Sequence, residues 1–357
     1  MKYTEKELCL IWLDSFIGLE YKHKAYLYNN LGEVKGIRSF IQNNAEYIKR
    51  EIGENNYSTL LNSANAEYLD FVLGELRKSE VRVITIDSEI YPPLLLQTDI
   101  PPLVLYAKGN VELLNTQCFA MVGSRKSLPL SIKSAEKYAI ALSDAGLTLV
   151  TGIAEGVDKA VIESALNTGK IISVIAGGFN HIYPASHTSL FEEVCKKGLA
   201  ISEHSLDVVP QPYFFPARNR IIAGLSKGTL VVSGAKKSGT KYTATFAEEY
   251  GRDLFAIPYN VGVASGEGCN ELIKMGAHLT DTPDDILDFY GLTKLEEENV
   301  YSDEERIVLS ALDGGSLHVE KISNITGKKP FELTVILSAL EIKGAVAKVG
   351  ANVYSKI

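Results

Sequence analysis

Residues Phe214–Ser226 read FFPARNRIIAGLS and place the most unusual chemistry of the chain in one short stretch. Pro216 suits the first turn of a helix and Ile221, Ile222, Ala223 and Leu225 suit its buried body. Arg218, Asn219 and Arg220 then fall in the first turn, where the helix dipole favours anions by about 0.3–1 kcal/mol per charge. Two arginines there call for a compensating negative charge. A bound phosphate would supply it, and Phe214 and Phe215 beside it could stack a base. Carboxylates of the chain itself, such as Glu203 or Asp158, would supply it equally well, with the phenylalanines in the core. The stretch alone leaves both readings open.

A second set of candidates lies at strand ends. Apolar runs stop at Gly123, Gly152, Gly177-Gly178 and Gly234. Glycine there lets a backbone N–H approach a phosphate closely, although it is also ordinary turn chemistry. Gly123 is followed by Ser124 and Arg125, a hydroxyl donor and a fork-shaped cation. Gly234 is followed by Ala235, Lys236, Lys237 and Ser238. If these ends share one edge of a sheet, Arg125, Lys236, Lys237, Arg218 and Arg220 form a basic groove on a protein of net charge −8. Such a groove is the footprint of a phosphate-backbone binder, with affinity that falls steeply with salt.

Several enzyme classes fail on spacing. Gly123 is followed by SRKSL, so the dinucleotide fingerprint G-x-G-x-x-G is missing, as are the phosphate loop of ATP motors and the G-x-S-x-G nucleophile elbow. His181 and His187 lack a third ligand at usable spacing, and the four cysteines (Cys9, Cys118, Cys195 and Cys269) contain no C-x-x-C pair. The expectation is no cofactor, no metal and no catalytic residue. Reduced thiols fit a cytoplasmic protein. Lys2, Glu5, Lys6 and Glu7 precede any apolar run, so no signal peptide is expected, and no apolar stretch reaches membrane-spanning length.

The elements that must position these residues follow from periodicity. At 357 residues, 46% hydrophobic and 22% charged, the chain has the composition of a globular protein of two or three domains. Residues 1–75 carry short helical patterns broken at Gly18 and Gly32, as in a SAM-like or helix-hairpin-helix module. VRVITID (81–87) reads as a strand. Pro92, Pro93, Pro101 and Pro102 argue against helix in the connector that follows, and Leu103–Ala107 reads as a second strand. From 115 to 290, β-branched strands alternate with amphipathic helices, which predicts an α/β, doubly wound, mostly parallel sheet covered on both faces. After an acidic run at 295–299, residues 301–357 predict three helices and a hairpin turning near Gly350, the pattern of a winged helix. Its third helix offers Glu332, Thr334 and Glu341 and little base-reading chemistry, which points to packing or partner binding.

The motifs VGSRK (122–126), TGIAEGVDKA (151–160), GGFNHIYP (177–184), FPARNRIIAGLS (215–226), SGTKYTA (238–244) and GCNELIKMGA (268–277) resemble, in order and spacing, those of the DprA/Smf family. The resemblance implies a SAM-like domain over 1–75, an extended Rossmann-like DNA-binding core over 76–292 and a winged helix over 301–357. It implies a non-enzymatic protein that binds single-stranded DNA, protects incoming DNA in natural transformation, helps load the RecA recombinase and forms a homodimer through the core. By the family's pattern, Gly123, Ser124 and Arg125 hold backbone phosphate, and Gly177 and Gly178 lie along the strand path. Phe214 or Phe215 completes the groove with Arg218, Asn219 and Arg220, and Lys241 joins them on charge alone. Two positions depart from the pattern: Glu155 stands where the family has arginine, and Ile162 where it has histidine. A carboxylate near the groove should weaken phosphate binding. That keeps two alternatives open, a phosphoribohydrolase-like enzyme acting on nucleoside phosphates and a regulatory or defence paralogue with weakened DNA binding.

Overall fold

The apolar runs over 118–122, 148–151, 171–175 and 199–202 form strands whose every residue is buried, because helices cover both of their faces. They belong to a computed structural model that describes residues 3–16, 19–30, 36–293, 301–343 and 345–356. Gly18, Gly32 and the acidic run 295–299 lie outside the described residues. The chain divides into two compact units, 1–294 and 295–357.

Among the described residues, the sheet of the first unit has nine strands: β1 (Arg82–Thr85), β2 (Val104–Gly109), β3 (Cys118–Val122), β4 (Thr148–Thr151), β5 (Ile171–Ile175), β6 (Leu199–Ser202), β7 (Gly228–Val231), β8 (Asp253–Ala256) and β9 (His278–Leu279). Their spatial order is β1-β2-β6-β5-β4-β3-β7-β8-β9. From β6 to β9 every pairing is parallel, while β1–β2 and β2–β6 are antiparallel. This is the expected α/β doubly wound sheet with an antiparallel extension at one edge.

Six helices precede the sheet: α1 (Glu5–Ser15), α2 (Tyr21–Asn29), α3 (Ile37–Asn43), α4 (Ala45–Ile52), α5 (Glu54–Ser63) and α6 (Ala66–Lys78). Thr4 and Glu7 close a capping box at the start of α1. Trp12 on α1 is fully buried and its indole N–H donates to the Ser63 carbonyl at 2.9 Å. The same hydrophobic cluster runs from these helices through Val83 and Tyr106 into the sheet. The proline-rich connector holds one helical turn, α7 (Pro93–Leu96), where no helix was expected. Pro93 stands at its first position, and there a proline costs no hydrogen bond.

Beyond the connector, strands alternate with α8 (Pro129–Asp144), α9 (Val157–Ala165), α10 (Thr188–Lys197), α11 (Phe214–Leu225), α12 (Thr240–Glu249), α13 (Glu267–Lys274) and α14 (Pro283–Phe289). Strand alternation sorts the core into two layers. Phe119 and Met121 of β3 point into the cluster shared with α1–α6, α8, α9, α10 and α14, and Ala120 and Val122 into the one shared with α7, α11, α12 and α13.

The second unit has α15 (Asp303–Ala311), α16 (Val319–Thr326) and α17 (Pro330–Ile342), with β10 (Leu317–His318), β11 (Val346–Gly350) and β12 (Val353–Lys356) in the order β10-β12-β11. The expected capping box is present: Ser302 N–H donates to Glu305 Oε2 at 2.7 Å, and Ser302 Oγ accepts from Glu305 N–H. Val308, Ile322, Leu333, Leu337 and Leu340 form its own core.

Because the six helices share a core with the sheet, the first unit should unfold as one. Trp12 is the single tryptophan of the chain. Ile172→Ala, a fully buried change on the opposite layer, should cost about 2–5 kcal/mol. It should shift the urea midpoint of Trp12 fluorescence and of far-ultraviolet dichroism together. A shift in dichroism with Trp12 unmoved would show that the helices unfold separately.

Candidate nucleic-acid interface

The order of strands reverses beside β3, which has β4 on one side and β7 on the other. Connections leave these neighbours in opposite directions and open a crevice at their carboxyl ends, where ligands of such sheets bind. A cavity of about 770 Å³ occupies that place. Its walls come from Gly123, Ser124 and Arg125 after β3, from Phe215, Arg218 and Asn219 on α11, and from Ser238, Gly239, Thr240, Tyr242 and Thr243 after β7, with Asp158 and Tyr183 completing it.

The loop after β3 is shaped by contact with α9. A Cβ on Gly123 would collide with the Val157 side chain, so only glycine lets the chain turn here. Ser124 N–H donates to Ser233 Oγ at 3.2 Å, and the Ser127 and Ser233 hydroxyls lie 2.9 Å apart, which ties the loop to the end of β7. Arg125 is exposed and has no carboxylate partner among the described residues. Its guanidinium lies over the Phe215 ring at 5.2 Å, and Phe215 meets Tyr183 edge-on at 5.5 Å. Cation and ring thus stand in one cavity, one suited to a phosphate and the other to a base.

Arg218 and Arg220 diverge. Two residues apart on a helix, they point to different sides. Arg218 lines the cavity from below, 6% exposed, with Nη1 donating to the Val174 carbonyl and Nε to Asn219 Oδ1 at 3.2 Å. Arg220 is turned away from the cavity and bound to Glu203 at 2.5 Å, as the carboxylate reading of this stretch anticipated. Asp158 accepts the Ala154 N–H at 3.2 Å. Gly152 makes room for both charged groups, since a Cβ there would strike Asp158 Oδ2 and the Arg218 guanidinium. Burial raises the Asp158 carboxyl above its ordinary value, against the pull of Arg218. Burial also brings Arg218 down to about 10.

The other expected residues divide. Phe215 faces the cavity, whereas Phe214 stacks on His204 at 4.2 Å, outside it. Gly177 and Gly178 accommodate the chain's own crossing segment: Gly178 N–H donates to the Val208 carbonyl at 2.8 Å and Gly177 lies against Pro210. Lys236, Lys237 and Lys241 are exposed on the segment that rims the cavity and do not line it. Tyr183 and Tyr242, about half exposed, line the cavity and were missed. Both sit inside motifs quoted above, GGFNHIYP and SGTKYTA, where an exposed aromatic beside glycines was the available signal.

A family model described as DNA recombination-mediator protein A matches residues 82–291. The chain is 35% identical over 288 residues to Protein Smf of Escherichia coli, covering 77% of each chain. It is 36% identical over 231 residues to DNA processing protein DprA of Bacillus subtilis, covering 64% of this chain and 76% of that one. Among solved structures, DNA processing protein A from Streptococcus pneumoniae aligns with a TM-score of 0.66 at 29% identity, over 81% of this chain and 98% of that one. That from Helicobacter pylori, described for its single-stranded DNA binding mode, aligns with a TM-score of 0.55 at 29% identity, over 59% and 95%.

Arg218→Met removes the donors to Val174 and Asn219 and the cation facing Asp158, and should cost about 1.5–3 kcal/mol by urea denaturation. Adding Asp158→Asn should recover the part of the loss that comes from the uncompensated carboxylate. Because the folded carboxyl holds its proton more tightly than the unfolded one, its contribution is full below the unfolded value. It is lost as pH rises through the folded one. Asp158→Asn should therefore flatten the fall in stability over that window. An unchanged slope would place the titration elsewhere.

Proposed function

We propose that this chain, which belongs to the DNA recombination-mediator protein A family, binds single-stranded DNA in the cavity beside β3. The observation that carries the reading is Arg125, exposed and without a carboxylate partner among the described residues, resting on Phe215 inside that cavity. Phosphate would meet the Arg125 fork and the Ser124 hydroxyl, and a base would stack on Phe215 or Tyr183. Lys236, Lys237 and Lys241 would draw the backbone along the rim. Arg218 serves from below by holding the start of α11, and Arg220 by anchoring its far side. An overall charge of −8 confines attraction to this patch.

The finer reading is proposed on the resemblance of the motifs. The protein is non-enzymatic, acts in the cytoplasm, protects incoming DNA in natural transformation and helps load the RecA recombinase. No helix among the described residues is long and apolar enough to cross a membrane. A homodimer through the core would use the sheet edge at β9, where Met275, Leu279 and Phe289 are exposed and Phe289 lies 4.7 Å from His278. The boundaries 1–75, 76–292 and 301–357 describe its organisation, with the last segment a winged helix whose exposed Phe331 and Val335 suit partner binding better than a DNA groove.

Fluorescence anisotropy with a labelled oligonucleotide, single-stranded and as duplex, over a salt series tests the reading. Single strand should win. Phe215→Ala should cost about 1–3 kcal/mol of binding. Arg125→Ala should reduce the log–log salt slope by about 0.7. Equal affinity for duplex, or an unchanged slope, would sink the proposal, and base release from nucleoside monophosphates that depends on Asp158 would favour the hydrolase instead.

A further inference from the structure

The start of α12 forms the wall of the cavity that follows β7, through Ser238, Gly239, Thr240, Tyr242 and Thr243. The segment from Gly234 to Ala247 contains Lys236, Lys237 and Lys241 and no aspartate or glutamate. Acidic side chains commonly neutralise the positive end of a helix, and the first turn of α12 has none. Gly239, its N-cap residue, has no side chain with which to cap it. The Gly239 N–H has no partner among the described residues.

Thr243 lies one turn further in. It is 1% exposed, yet it lines the cavity, and its hydroxyl has no hydrogen-bond partner among the described residues. A helical threonine often donates to the carbonyl four residues back. Here that carbonyl belongs to Gly239, and it already accepts from the Tyr242 N–H at 3.2 Å and from Asn219 Nδ2 at 3.4 Å. A buried hydroxyl left unpaired lowers stability unless a ligand completes it. Gly239 and Thr243 are four residues apart and so share one face of the helix, and side chains on a helix lean towards its N-terminus. The Thr243 hydroxyl therefore leans towards the end where Gly239 stands. Asn219 holds that end in place, since its Oδ1 accepts from Arg218 Nε at 3.2 Å while its Nδ2 grips Gly239. Asp158 is the one carboxylate among the described residues that line the cavity, and Arg218 faces it.

We propose that the start of α12 is a second phosphate site, in which the Gly239 N–H and the Thr243 hydroxyl donate to a phosphate oxygen of the bound strand, with Asn219 as the positioning residue. The site rests on the DNA-binding reading above and adds to it a contact separate from that at Arg125. Two neutral donors at the positive end of a helix bind an anion without a cation of their own. The phosphate is either an internal diester of the strand or a monoester at its end.

The test is anisotropy with the full-length chain and a labelled single-stranded oligonucleotide, prepared with a hydroxyl or with a phosphate at its 5′ end. Thr243→Val keeps the shape of the side chain and removes the donor. It should bind about tenfold more weakly than wild type, the scale of one hydrogen bond to a charged group. Its urea midpoint should stay or rise, because a buried unpaired hydroxyl has been removed. At Gly239 the φ is −61° and a Cβ meets nothing within 4 Å, so asparagine and aspartate both fit. Gly239→Asn should stay close to wild type, whereas Gly239→Asp, of the same size but negative, should lose about tenfold or more. A loss in Thr243→Val confined to the 5′-phosphorylated strand would assign the site to a terminal monoester, and an equal loss on both strands to an internal diester. If Thr243→Val and Gly239→Asp bind both strands as wild type does, with Arg125→Ala still impaired, the second site is overturned and DNA binding stands. Equal weakening by Gly239→Asn and Gly239→Asp would also overturn it, since bulk and not charge would then be excluded. If wild type binds no oligonucleotide, or Arg125→Ala changes nothing, the DNA reading fails, and inorganic phosphate decides the site. A saturable shift of the Gly239 amide signal in nuclear magnetic resonance, lost in Thr243→Val, would support it. No shift in wild type would overturn it.

Discussion

A guanidinium cannot be buried without partners, and the burial of Arg218 is the constraint on which the site depends. Because α11 starts at Phe214, this side chain leaves its second turn rather than the expected first, and it donates to the carbonyl of Val174 at the end of β5. The negative charge of Asp158, on α9, faces the same space above Gly152. One charge thereby fixes the N-terminal end of α11 against the ends of two strands and the start of a neighbouring helix. Removing the guanidinium would leave the Val174 carbonyl without this donor and Asp158 without the charge that faces it. Phe215, one turn earlier, inherits its position from this arrangement, and Arg125 rests on Phe215.

The cavity therefore separates support from contact. The groups beneath it, Arg218 and Asp158, are satisfied by the protein. Those at its mouth, Arg125, Tyr183 and Tyr242, are exposed. A buried arginine spends its donors on the fold, while an exposed one keeps them for a ligand. Stacking on Phe215 restricts the Arg125 side chain in advance, so less freedom is lost when an anion arrives. The acidic remainder of the chain does not oppose this, because field at a cleft is set by the nearest charges and more distant ones are screened within about 10 Å.

Glu155 and His187 add an opposing charge to the same wall. The Glu155 carboxylate is held by the buried His187 ring, whose Nε2 lies 2.9 Å from Oε1 while Nδ1 lies 2.8 Å from the Ile153 carbonyl. Glu155 thus has a structural partner 32 residues along the chain.

The sequence by itself determined the elements. Period-two and period-3.6 apolar patterns specify the alternation of strands and helices, the capping box at Ser302, and the glycines that bring loops together at one sheet edge, because these depend on neighbours within a few residues. The one turn at Pro93 escaped that logic only because a proline at the first helical position leaves no bond to break. Which side chains share the site was decided by tertiary structure. Phe214 and Phe215 are equivalent in composition, yet successive helical residues point about 100° apart, so only one reaches the cavity. Arg218 and Arg220 separate for the same reason, and Glu203, which claims Arg220, comes from the segment after β6. Gly177 and Gly178 are taken up by the chain's own crossing segment. The pairing of Glu155 with His187, and of Arg125 with Phe215, joins residues far apart in sequence, and no local periodicity encodes which of many distant side chains the folding of a sheet will bring within hydrogen-bonding or stacking distance.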